Sequence, residues 1–159
     1  HAPGESRRVR VGSATEFDTR EKTYRIFVEE LPPLDRQTNG VRVLTKMGIP
    51  IFMKPAKEVA TANLTNLGRK GGKVFFTVRN EGTVHFVPQE IRVRGFAGST
   101  TAVDNRLDGW YILAGGRRDF DMAFPEAECS RITSVTVDVQ LGSESLQERL
   151  QTPNGVCSR

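Results

Sequence analysis

Few side chains in this sequence could do chemistry. Among 159 residues there are two histidines, His1 and His85, and two cysteines, Cys129 and Cys157. Two imidazoles and two thiols are the only soft metal ligands, and their spacing fits no zinc motif, so no metal site is predicted. Nucleophile elbows, phosphate-binding glycine loops and paired-histidine motifs are all missing, so the sequence predicts no enzyme and implies no cofactor. His85 follows a turn and reads as a surface or structurally satisfied histidine. An even cysteine count near one end permits a disulfide and an oxidising compartment, with two buried free thiols as the alternative.

Two basic runs remain, Arg7-Arg8-x-Arg10 and Gly68-Arg69-Lys70-Gly71-Gly72-Lys73. Without an accompanying aromatic strand they read as solvated loops, and no nucleic-acid partner is predicted. The net charge of +4 suits an anionic partner or an ordinary solvated surface. With 37% apolar and 26% charged residues, the chain has a globular composition. No apolar run reaches the roughly 20 residues of a membrane helix. No signal peptide is visible, and the opening residue His1 reads as the start of a processed product or a fragment.

The elements that would position any site are strands. Alternation of period two and β-branched residues predict strands at Ser6–Val11, at Thr23–Leu31 before Pro32-Pro33, and at Val41–Met53 after a polar turn over Asp35–Gly40. In the third, Val41, Val43, Thr45, Met47, Ile49 and Ile51 share one face while Leu44 and Phe52 take the other. Apolar residues on both faces predict burial on both sides, and Pro50 predicts an edge without a regular neighbour. Lys54-Pro55-Ala56 reads as a linker. Beyond it, Val74–Val78, His85–Val87, Ile91–Val93, Trp110–Leu113, Arg118–Met122, Ser134–Gln140 and Ser145–Leu150 predict an all-β, immunoglobulin-like sandwich, with Arg79–Gly82 as a turn. If the last two strands form a hairpin, Cys129 and Cys157 meet at its ends, the geometry a disulfide requires.

These segments resemble a known family. Pro3-Gly4-Glu5 with Arg8-Val9, Tyr24-Arg25-Ile26-Phe27 with Glu30-Leu31-Pro32-Pro33, and Val41 through Phe52-Met53-Lys54-Pro55 are similar to segments of the PapD-type periplasmic pilus-assembly chaperones. So are Val78-Arg79-Asn80-Glu81-Gly82 followed by His85, and Tyr111-Ile112-Leu113-Ala114-Gly115. The Ile49-Pro50-Ile51-Phe52 form is closer to the divergent or archaic branch.

The resemblance implies a two-domain architecture with an incomplete first domain. Residues 1–55 would supply its last strands (E1, F1, G1), and residues 56–159 a C-terminal immunoglobulin-like domain. It implies a periplasmic protein that holds pilus subunits by donor-strand complementation and delivers them to an outer-membrane usher. Val41, Val43, Thr45, Met47 and Ile49 would form the donor strand. The family's usual carboxylate anchors do not carry over, because Pro50 takes the place of the lysine on that strand. Arg25 is the substitute candidate, with Arg8 and Arg10 behind it. Glu30, Lys54 and Asp138 resemble the family's inter-domain charge cluster. The alternatives are an immunoglobulin-like structural or adhesive domain and a truncated, inactive chaperone. Exposed strands in the first segment predict self-association of the isolated chain.

Overall fold

The computed structural model describes residues 5–6, 8–14, 18–32 and 41–157. His1, the Pro3-Gly4 turn, Arg7, Pro33 and the Asp35–Gly40 turn lie outside them. The described residues form nine strands and one short helix. The strands are β1 (Lys22–Glu29), β2 (Lys46–Met53), β3 (Ala62–Lys70), β4 (Lys73–Asn80), β5 (Glu90–Ala97), β6 (Thr100–Leu107), β7 (Arg117–Ala123), β8 (Ser134–Leu141) and β9 (Glu144–Gln151), and the helix is α1 (Glu126–Cys129). The chain is all-β, as predicted.

β1 and β2 form a two-stranded antiparallel ribbon, and the other seven make sheets ordered β3-β4-β7 and β6-β5-β8-β9. Those two sheets enclose one core, the layering of an immunoglobulin-like sandwich. The core follows from strict alternation: Val74, Phe76 and Val78 point inward from β4, Ile91 and Val93 from β5, and Val135, Val137 and Val139 from β8. Gly95 continues the inward set of β5. A Cβ there would lie 2.5 Å from the Phe124 ring, so the close approach of α1's neighbourhood requires glycine.

Asn80 is one of the buried polar residues. Its amide donates to the carbonyls of Val84 and Ile112, both at 2.9 Å, and its Oδ1 accepts from the Gly82 amide at 2.9 Å. It thereby satisfies a loop that no ladder reaches. Cys129 and Cys157 form a disulfide with a Cα–Cα distance of 5.3 Å. It ties α1 to the chain end after the β8–β9 hairpin.

Several predicted elements differ. Residues 8–14 carry no strand. The third predicted strand begins only at Lys46. In the β1–β2 register Glu29 opposes Lys46, and continuing it would set Val43 against Pro32, which has no N–H to give. Its predicted burial on both sides is also wrong: Val41 and Val43 are 100% and 84% exposed, and Met47 and Ile49 are exposed too. The run Gly68–Lys73 ends β3, turns through Gly71-Gly72 and begins β4, a tight hairpin turn rather than a longer loop. Gly71 and Gly72 both have positive φ, the conformation such turns demand. The segments around His85 and Trp110 contribute only the single bridge Phe86–Ile112.

Candidate functional site: an open strand edge

The ribbon is the unusual part of the molecule. β1 has β2 as its neighbour, and among the described residues the other edge of β2 pairs with nothing. Opposed residues of an antiparallel pair share a face. Tyr24, Ile26 and Val28 therefore lie beside Ile51, Ile49 and Met47, making one apolar face. Tyr24, Val28, Met47 and Ile49 on it are exposed. The Val11–Ser13 segment borders this face and, with Tyr24, Ile26, Ile51 and Met53, lines an open cleft of about 460 Å³.

Of the five predicted donor residues, Met47 and Ile49 lie within β2. Thr45 sits just before it, its carbonyl accepting from the Glu30 amide at 2.8 Å. Val41 and Val43 precede the strand in exposed chain.

The opposite face of the ribbon turns toward the sandwich, and a compact set of contacts joins them. The Phe52 ring stacks on His85 with centroids 3.8 Å apart and meets Tyr111 edge-on at 5.8 Å. Arg25 Nη2 donates to the Tyr111 hydroxyl at 2.9 Å. The Glu21 side chain is fully inaccessible. Its two oxygens lie 2.8 and 2.9 Å from His85 Nδ1, and Oε1 also accepts from the His85 amide at 3.2 Å. The Glu21 amide donates to Thr83 O at 2.8 Å. His85 is thus a structurally satisfied histidine.

The predicted charge cluster is not what joins the two parts. Glu30 Oε2 accepts from the Thr45 amide within the ribbon. Lys54 pairs with Glu58 at 2.9 Å, which holds its ammonium above the ordinary lysine range. Asp138 is held within the sandwich by Arg94 at 2.7 Å and by the Gln147 amide. Each group has a nearer partner than the other two, and Glu21, which no motif marked, takes the joining role. Its position in the polar run Thr19-Arg20-Glu21-Lys22 carries no signal of burial.

Arg25 is exposed and keeps donors beyond the one used on Tyr111. Arg8 and Arg10 are exposed and lie outside any strand. Among the described residues no three His, Cys, Asp or Glu side chains gather as a metal site.

Residues 1–58 match the family described as pili and flagellar-assembly chaperone, PapD N-terminal domain. No curated protein matches the chain in sequence. The crystal structure of the class 5 fimbriae chaperone CfaA is similar at a TM-score of 0.49 and 15% identity, over 86% of this chain. The chain spans 62% of that protein's length.

Proposed function

We propose that the chain serves in the periplasm as a chaperone that holds pilus subunits through the open edge of β2. The observation that carries this reading is an unpaired, apolar strand edge inside the very segment that matches the chaperone family. An extended segment of a subunit would pair main chain to main chain with β2 while Met47 and Ile49, with Thr45, Val43 and Val41 ahead of them, enter its groove. This is donor-strand complementation, which general accounts of β-augmentation already name for chaperone–pilin pairs. Arg25, fixed by Tyr111 at the foot of the ribbon, would hold a carboxylate of the subunit through its remaining N–H groups.

The ribbon and the sandwich would act as the two lobes of a chaperone, residues 1–55 and 56–159, with an outer-membrane usher receiving the subunit. The disulfide fits an oxidising compartment. Left alone, the same edge offers a route to pairing between copies of the chain.

The test is capture of a purified pilus subunit with an open groove by the full chain and by Met47→Asp and Ile49→Asp. Each of these apolar side chains would contribute on the order of 1.5–3 kcal/mol when buried. Capture should therefore weaken at least tenfold in each variant, with the melting temperature of the sandwich unchanged. Undiminished capture in both variants would refute the role of β2.

A further inference from the structure

Among the described residues β2 is the one strand that contains a proline, Pro50. A proline within a sheet either deprives its neighbour of a hydrogen bond or turns its missing N–H to an open edge. The ribbon's own bonding decides between these. The Glu30 amide donates to the Thr45 carbonyl at 2.8 Å, one step beyond the Glu29–Lys46 pair. Residues 30 and 45 are therefore a hydrogen-bonded pair. In an antiparallel ladder such pairs alternate with pairs whose N–H and C=O groups point away from each other. Along the register, Met47, Ile49, Ile51 and Met53 aim their backbone groups at β1. Lys46, Gly48, Pro50 and Phe52 aim theirs at the edge where, among the described residues, no strand pairs.

Pro50 thus takes nothing from the ladder to β1. It removes a donor from the open edge, between the N–H groups of Gly48 and Phe52, while every outward carbonyl stays in place. A strand laid along this edge, parallel or antiparallel, has one carbonyl facing the proline ring with no donor to meet it. Two copies of the chain paired edge to edge bring two such prolines. They forgo two bonds where a foreign strand forgoes one. One net hydrogen bond corresponds to about fivefold in an equilibrium constant.

We propose that Pro50 sets the specificity of the β2 edge. It holds a captured subunit strand one bond short of a full ladder, which keeps that strand exchangeable, and it weakens pairing between copies of the chain by the square of the same factor. The part concerning the subunit rests on the chaperone reading of β2. The direction of the missing donor and the bias against self-pairing do not.

The test restores the donor in the full chain with Pro50→Ala, beside a control carrying N-methylalanine at position 50, which lacks both the ring and the N–H. In dilute Pro50→Ala the new amide at position 50 should exchange with solvent like an unpaired amide, while the amides of Ile49 and Ile51 stay protected by β1. Sedimentation equilibrium should show self-association about twenty-five-fold stronger in Pro50→Ala than in the N-methylalanine chain. Release of a captured pilus subunit should slow about fivefold in Pro50→Ala and not in the control. A protected amide at position 50 in the monomer would overturn the assignment, and so would equal self-association of the two chains. If both of those results hold but subunit release is unchanged, the exchange role falls together with the reading of β2 as the subunit-holding edge, and the bias against self-pairing stands.

Discussion

Cutting the Glu21–His85 contact should loosen the ribbon from the sandwich, and the geometry sets how much. The Glu21 carboxylate receives the His85 amide and lies within bonding distance of Nδ1 through both oxygens, with its side chain wholly shielded from water. A hydrogen bond to a charged group contributes about 1.5–3 kcal/mol, and leaving a buried partner unsatisfied costs about 1–3 kcal/mol. Glu21→Ala should therefore favour local opening by about 3 kcal/mol. His85→Ala removes the same bonds to its ring and also the stack on Phe52, itself about 0.5–1.5 kcal/mol.

The informative quantity is the coupling between the two substitutions, expected at about 2 kcal/mol because each removes what the other needs. The Glu21 amide reports it, since its hydrogen bond to Thr83 O crosses the joint and persists whatever side chain residue 21 carries. Native-state amide exchange at residue 21 should accelerate in each single variant. In the double variant it should accelerate about thirtyfold less than the product of the two single effects. Phe52→Leu should accelerate exchange too, but without abolishing the coupling. A double variant whose effect equals that product, within about a factor of two, would mean that Glu21 and His85 do not act together, and the joint would have to rest on Phe52, Tyr111 and Arg25.

Three further outcomes follow from other parts of the structure. The disulfide closes a separation of 28 residues, for which chain entropy gives about 3.6 kcal/mol, so Cys129→Ala with Cys157→Ala should lower the melting temperature by on the order of 15 °C. Asn80→Ala should cost about 3–5 kcal/mol in denaturant unfolding. Asn80→Asp, though of equal size, should cost as much because two carbonyls would then face a carboxylate. The guanidinium of Arg92 holds the Asp104 carboxyl below its ordinary value of 3.8. The stabilisation it brings is complete above that value and disappears as pH falls through the depressed one. Asp104→Asn should therefore destabilise at neutral pH, and the difference from the parent should close under stronger acid, as acid-unfolding curves of the two will show.

How much of this was legible depended on how each residue makes its contacts. β4, β5 and β8 are central strands with one face in the core, and the alternation of Val74, Phe76 and Val78 or of Val135, Val137 and Val139 announces them directly. β3 and β6 escaped notice because each carries few large apolar residues and no sustained apolar alternation. β6 fully buries only Val103, and apart from the half-buried Leu107 its other positions are polar or small. The disulfide was open to inference because it needs only a hairpin to bring its ends together. The contacts between ribbon and sandwich were not, since Glu21 and His85 are 64 positions apart and neither sits in a patterned run. The motif-based grouping of Glu30, Lys54 and Asp138 failed for a local reason. Arg94, on the strand next to Asp138, satisfies that carboxylate before anything on the ribbon can.

The edges of the sheets make the strongest case for what the ribbon does. Every edge of a sheet can template another strand, and proteins normally blunt such edges with charge or irregularity. The sandwich does so throughout. β9 carries Glu144, Glu148 and Arg149, β6 carries Asp104 and Arg106, and β7 carries Arg117, Arg118, Asp119 and Asp121. β3 is broken by a bulge between Thr65 and Gly68, where Asn66 takes a positive φ. β2 has a single charge, Lys46 at its first position, and that one is spent on Glu29. From Met47 to Met53 it is uncharged, and Pro50 withholds one backbone donor without interrupting the ladder to β1. Among the described residues the sandwich guards its edges while β2 does not, and that contrast is the physical support for the pairing proposed above.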